Sequence, residues 1–307
     1  MSADLSIAFI DRTTGRLCRE TVFADRFLDW SYNSRLGWLF TRFIASRPIV
    51  SRLYGWTQRQ PWSRRRIEPF VAHMGIDCDE LAQPLSSFDN FAEFFTRRIK
   101  PTCRPIDPDP CACVSPVDGK ILAFQQIAPA EVIEVKRHRF TLEQLLRDRA
   151  TAERFSGGSL VIIRLTLADY HHFHFPDSGI PGETPIINGS LFAGGPYARR
   201  RWVPFYKENL RAMTMFDSDH FGRIGIIEVG AFTVGSVKQC FRARHHVAKG
   251  DPKGYFEIGG STVVLLFEPG RMVLDPDLCR NSEAGIETAV RMGERIGHAT
   301  GSSGADE

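Results

Sequence analysis

Apolar positions in residues 30–70 recur every three or four places, as in Leu36, Leu39/Phe40 and Phe43, with Arg35, Arg42 and Arg52 set between them. That period predicts an amphipathic helix, capped by Asn33 or Ser34 and stopped by Pro48, with a second short helix over 49–58. A third helix is predicted over 91–99, capped from residues 87–90 and ended by Pro101. Residues 101–110 hold four prolines and read as the junction between a helical N-terminal part and the rest. Beyond it the pattern changes to strands over 120–124, 160–167, 224–229, 232–237 and 263–267, punctuated by Gly and Pro. The fold class expected is α+β: N-terminal amphipathic helices, then a β-rich body. The division is 1–100, 101–298 and a small polar tail, 299–307, expected to be disordered.

The composition is that of a globular protein, with 43% hydrophobic and 24% charged residues in 307. No apolar run approaches the length of a membrane-spanning helix, and the N-terminus lacks a basic-then-apolar signal pattern. Seven cysteines, an odd number, suggest a reducing compartment. Cys111 and Cys113 lack a second Cys/His pair at zinc-finger spacing, so no metal is expected.

Charge changes the picture in one place. Residues 30–70 carry eight arginines against a single acid, Glu68, although the whole chain is only +3. Arg-rich helices with Trp and Phe beside them suit a membrane interface bearing anionic lipid. The alternative is a helical pair packed on its own core with its arginines in water. Nucleic acid is not expected, because the aromatics have helical rather than strand spacing and the pI of about 8.5 is mild.

Four stretches carry candidate chemistry. Ser115-Pro116-Val117-Asp118-Gly119-Lys120 is a turn with a carboxylate at its tip. Asp169-Tyr170-His171-His172-Phe173-His174-Phe175-Pro176 places three of nine histidines within four positions. It lacks the HExxH spacing of a zinc hydrolase, and proton transfer is the better functional reading. Residues 229–237 are too glycine-dense for a plain strand, yet match no phosphate loop. Finally Gly259-Gly260-Ser261-Thr262 enters a buried strand. A serine hydroxyl can attack the carbonyl carbon before it, since Gly260 has no Cβ to obstruct a strained backbone. The ester so formed loses the α-proton and expels the acyl group, and the dehydroalanine left behind hydrolyses to a pyruvoyl group. Such a hydroxyl needs a base, and the base an orienting carboxylate.

SPVDGK, DYHHFHFP, VGAFTVGSV and GYFEIGGSTVVLLFE, in this order, resemble the phosphatidylserine decarboxylase family. FFTRRIKPTCRPID resembles that family's helix-to-body junction, and GIETAVRMGERIG its C-terminal strand. The likeness runs over residues 88–298. It implies that Asp118 is the orienting carboxylate, His174 the triad base, His171 a participant in decarboxylation, and Ser261 the pyruvoyl precursor. Cleavage would fall between Gly260 and Ser261, giving a β chain (1–260) and an α chain (261–307) that stay together. His172 falls at a variable position and receives no role. The implied reaction is decarboxylation of phosphatidylserine to phosphatidylethanolamine, within phospholipid biosynthesis. The implied location is the cytoplasmic face of a membrane, with a possible homodimer. Two departures stand out: Ala193-Gly194-Gly195-Pro196 where the family has a Val-Asn-Pro-like stretch, and Pro252 where it commonly has Glu. A serine hydrolase using Asp118, His174 and Ser261 without cleavage, or a membrane-binding module without activity, are the competing classes. The first lacks the G-x-S-x-G elbow.

Overall fold

The computed structural model describes residues 7–20, 26–128, 133–135, 138–192, 205–231, 237–259 and 261–301. Gly260, the departure at 193–196, most of the glycine-dense stretch (232–236) and the tail from 302 lie outside the described residues.

The architecture is α+β. The helical part begins with α1 (Arg26–Asn33) and α2 (Arg35–Phe40), the latter capped by Ser34, whose hydroxyl accepts from Gly37 N–H at 2.8 Å. A π-helical turn, Thr41–Ala45, follows. The helical run ends before Pro48, as expected, and Pro48 opens α3 (Pro48–Gln58), one residue ahead of the expected second helix: its missing N–H costs nothing in a first helical turn. After α4 (Ile67–Met74) comes α5 (Phe91–Phe95), capped by Asn90, whose side chain accepts from Glu93 N–H at 3.0 Å. This helix stops four residues short of the expected end. Arg97 turns inward there, and its Nη2 donates to the carbonyl of Ala168 at 2.5 Å, so the chain leaves helical geometry to satisfy a buried cation.

The body is organised by a ten-stranded sheet among the described residues. Its centre is the strand Ser261–Phe267, buried at every position, between Gly222–Gly230 and Ser159–Leu165. Beyond Ser159–Leu165 lie Gly119–Phe124 and Glu287–Val290, and Ala8–Asp11 joins the latter in parallel. A three-stranded sheet, Val237–Gln239, Pro252–Phe256 and His172–His174, covers one end. Another joins Met272–Leu274, Arg295–Ala299 and Ala112–Val114, so the chain remains a strand through Ala299. Residues after 260 thus contribute strands to two sheets: Ser261–Phe267, Glu287–Val290 and Arg295–Ala299 each pair with earlier chain, and Met272–Leu274 pairs with Arg295–Ala299.

A continuous apolar run explains the central strand. Two small polar residues followed by five consecutive apolar ones, Val263 to Phe267, suit a strand covered on both faces. A smaller apolar cluster, Ile67, Phe70, Leu81, Phe88, Phe91, Phe94 and Phe95, packs on Ile258. It seats the N-terminal helices against the segment leading to Ser261.

Candidate active site

The buried strand Ser261–Phe267 begins at the candidate nucleophile. Ser261 is 3% exposed, pairs in register with Gly230 and Leu165, and its Oγ has no hydrogen-bond partner. Gly259, just before it, has φ of 137°, a conformation that side chains rarely adopt, so glycine is required at the approach.

The histidine motif runs antiparallel to Pro252–Phe256, with His172 opposite Tyr255 and His174 opposite Pro252. His171 precedes the strand. Its ring lies 4.1 Å from that of Phe95, centroid to centroid, and its Nδ1 donates to the Asp169 carbonyl at 2.8 Å. Nε2 therefore carries the lone pair, and it has no partner. Burial, then the nearby Arg97 cation, depress the His171 pKa to about 4; the Gly259 carbonyl acts in the opposite sense, which puts this ring beside the approach to Ser261. His174 is arranged alike. Its Nδ1 donates to the Gly250 carbonyl at 2.8 Å, its Nε2 is buried without a partner, and burial lowers its pKa. Both rings are neutral at pH 7 with a free lone pair, the state a general base needs. His172 differs. Its Nε2 meets the Thr96 carbonyl at 2.9 Å, and the ring lies between Tyr170 and Tyr255. It packs and is not free to react.

Asp118 is close to this group but engaged elsewhere. The turn holding it abuts the histidine strand, where His174 N–H donates to the Pro116 carbonyl at 2.9 Å. Its carboxylate accepts from Arg104 Nε and Nη2 at 2.8 and 2.6 Å, and from Met292 N–H at 2.8 Å. Its charge favours the protonated form of His174, but the atom holding His174 in its tautomer is the Gly250 oxygen. Asp118, His174 and Ser261 therefore do not form a hydrogen-bonded chain in the uncut protein.

Two arginines in the FFTRRIKPTCRPID stretch belong to the site although the motifs gave them no role. Arg104 binds both Asp118 and Glu80. Burial opposes its charge, but the hydrogen bonds it donates to the two carboxylates win, raising its pKa. Arg97 is 3% exposed, lies 5.0 Å from the Phe94 ring centroid, and has an unpartnered Nη1. Burial pulls its pKa down to about 10. The signal available in sequence was an Arg directly after an apolar helix run. Farther on, Glu228 and Lys253 form an ion pair at 2.7 Å, both side chains fully buried, with Gln239 bonded to each. Glu228 stands two rungs from Ser261 on the neighbouring strand, and Lys253 adjoins Pro252, the register partner of His174.

Five buried side-chain polar atoms lack a partner among the described residues, and three are Ser261 Oγ, His171 Nε2 and His174 Nε2. An unmade buried hydrogen bond costs about 1–3 kcal/mol. These three unsatisfied groups are the candidate reactive atoms of the site. A model of the family described as phosphatidylserine decarboxylase matches residues 91–298.

The chain belongs to the phosphatidylserine decarboxylase family.

Among its relatives, the phosphatidylserine decarboxylase proenzyme of Chlamydia felis is 41% identical over 96% of this chain and 99% of its own length. The proenzyme of Chlamydia pneumoniae is 40% identical over 95% and 97%, and that of Desulfitobacterium hafniense strain Y51 39% over 95% and 98%. The likeness thus includes the N-terminal helices, which the family match itself does not reach. Within this phosphatidylserine decarboxylase family chain, the motif residues His171, His174 and Ser261 are the ones with unpartnered reactive atoms.

Proposed function

We propose that this chain cuts itself between Gly260 and Ser261, converts Ser261 to a pyruvoyl group, and decarboxylates phosphatidylserine to phosphatidylethanolamine. The observation that carries the reading is that the Ser261 hydroxyl and the Nε2 atoms of two neutral, buried histidines are all unpartnered, with His171 beside the Gly259 carbonyl that leads into Ser261. His174 takes the serine proton and His171 serves decarboxylation and proton return; the Gly250 and Asp169 carbonyls hold their tautomers. Asp118, fixed by Arg104 and Met292 N–H, supplies negative charge that stabilises His174 once it is protonated. The pyruvoyl group supplies the carbonyl that condenses with the substrate amine and accepts the electrons left by CO₂. The fit is supported by the local chemistry: the serine is dry, at a strand start, and preceded by a glycine conformation other residues avoid. Burial keeps water from the carbanion-like state. We assign 1–100 as a membrane-facing region and 101–298 as the catalytic body, which the last strand extends through Ala299. Retention of 261–307 after scission is supported by its strands lying within the sheets, by Arg12 bridging to Asp275 and Asp277, and by Arg164 joining Glu20 to Glu287.

The helical region supports a peripheral attachment to an anionic membrane, which we place on the cytoplasmic side by the family resemblance alone. Leu36 and Ile49 are each 74% exposed, Leu53 63% and Phe43 61%, among Arg35, Arg42, Arg47 and Arg52. No helix of the described residues is long and apolar enough to cross a bilayer. Single exposed hydrophobes are ordinary, but a face this apolar beside so many cations fits an interface with lipid.

The test is conversion of phosphatidylserine vesicles, followed by release of CO₂ and formation of phosphatidylethanolamine. Leu36→Asp with Phe43→Asp should leave self-cleavage intact and weaken vesicle binding at least about tenfold, since two exposed apolar anchors are lost. Absence of any phosphatidylethanolamine from wild-type protein would overturn the assignment.

A further inference from the structure

A cavity of about 560 Å³ opens between α3, α5 and the strand Pro252–Phe256. Its inner wall carries Ile258, three residues before Ser261, and Thr96, whose carbonyl holds His172. Its outer lip is α3, which presents Arg52 and Arg59 to the cavity and exposes Ile49, Leu53 and Trp56 on the adjoining face. The volume is in the range of a small-molecule site.

The charges of the lining are unequally committed. Glu257 is paired with Arg59 at 2.7 Å, and Glu93 accepts from Asp89 N–H at 2.9 Å. Arg52 and Lys238 make no ion pair or side-chain hydrogen bond among the described residues. Ser51 is fully buried on the same wall, and its Oγ is another of the five unpartnered buried atoms. Two uncommitted cations and a hydroxyl donor line a cavity in which Glu257 is already ion-paired and Glu93 is, among the described residues, the one acid left without a cation. That is a complement for an oxyanion with several acceptor oxygens.

We propose that this cavity is the subsite for the phosphodiester of the substrate headgroup, with Arg52 and Lys238 on its phosphate oxygens and Ser51 Oγ donating a third hydrogen bond. The inference rests on the reading that the substrate is a serine phospholipid. The geometry gives that lipid a path: acyl chains remain against the exposed face of α3, the phosphodiester enters beneath it, and the serine end points past Ile258 toward residue 261.

The experiment uses dihexanoylphosphatidylserine below its micelle concentration, so that membrane attachment plays no part. Arg52→Gln with Lys238→Gln should still self-cleave, since both side chains are exposed. Its KM for the soluble lipid should rise about tenfold to a hundredfold, the loss expected for charge-assisted hydrogen bonds, with kcat within about threefold of wild type. Glycerophosphoethanolamine, which keeps the phosphodiester and lacks the carboxylate, should compete in wild type and weaken as a competitor by the same factor in the variant. Leu36→Asp with Phe43→Asp should leave the soluble KM unchanged, which separates this subsite from the membrane face. An unchanged soluble KM in the Arg52/Lys238 variant, a fall in kcat alone, or failure of the variant to cleave would each overturn the proposal. Should wild type show no decarboxylation at all, the functional reading fails first. Calorimetric binding of glycerophosphoethanolamine to wild type and its loss in the variant then still decide the subsite, and no binding to wild type rejects it.

Discussion

Ser261→Ala should leave a single uncut chain whose decarboxylation is at least about 10⁴-fold below wild type, the scale seen when a nucleophile is removed from a catalytic group acting as a unit. The change deletes an oxygen that has no partner and is 3% exposed. It cannot break a hydrogen bond, and it removes a buried polar atom that costs free energy. The folded protein should therefore be as stable as wild type or slightly more so. That combination separates a reacting serine from a structural one: a packing serine would lose stability and keep some turnover. Gel electrophoresis, thermal melting and a CO₂ assay on one preparation read all three. A cut Ser261→Ala chain, or one that still decarboxylates, contradicts the account.

The second large effect concerns stability. Glu228→Leu or Lys253→Met alone should destabilise the protein by about 3–5 kcal/mol, because each leaves an uncompensated buried charge. The pair is fully buried, burial raising the Glu228 pKa and lowering that of Lys253. Making both substitutions together should recover most of the loss, since two apolar side chains replace two desolvated ions. Guanidinium denaturation of the single and double variants, analysed as a cycle, checks this. Additive losses would mean that the two charges are not coupled. The pair also ties the strand beside Ser261 to the strand beside His174, so the single variants should cut themselves more slowly.

Much of the site was legible in the sequence, for reasons that are local. Ser261 announced itself through Gly259-Gly260 ahead of an apolar strand, and the structure keeps that strand from Ser261 to Phe267. His171 and His174 stood out by their density, and both present a free Nε2. Their division from His172 came from the resemblance, and its physical basis is the hydrogen bond to Thr96. What sequence could not give was long-range satisfaction. Asp118 was expected to orient His174, whereas Arg104 and Met292 N–H occupy it and the Gly250 carbonyl does the orienting. Those partners lie 14, 174 and 76 residues away from the groups they bind, beyond any periodicity. The same holds for Glu228: a lone carboxylate in an apolar strand demanded a partner, but nothing in the local pattern named Lys253. Helix ends were read least well. Local periodicity marked neither the π turn at Thr41–Ala45 nor the early end of α5, beyond which Arg97 turns to the Ala168 carbonyl.

The central claim is that the backbone opens at one bond and leaves a keto cap. Intact mass spectrometry of freshly purified, active protein tests it most directly. The account predicts two species, residues 1–260 and 261–307. Their masses should sum to the precursor plus one water minus one ammonia, the smaller chain resisting Edman degradation. An active sample carrying only the uncut mass, or a smaller chain that still begins with an unmodified serine, would contradict it.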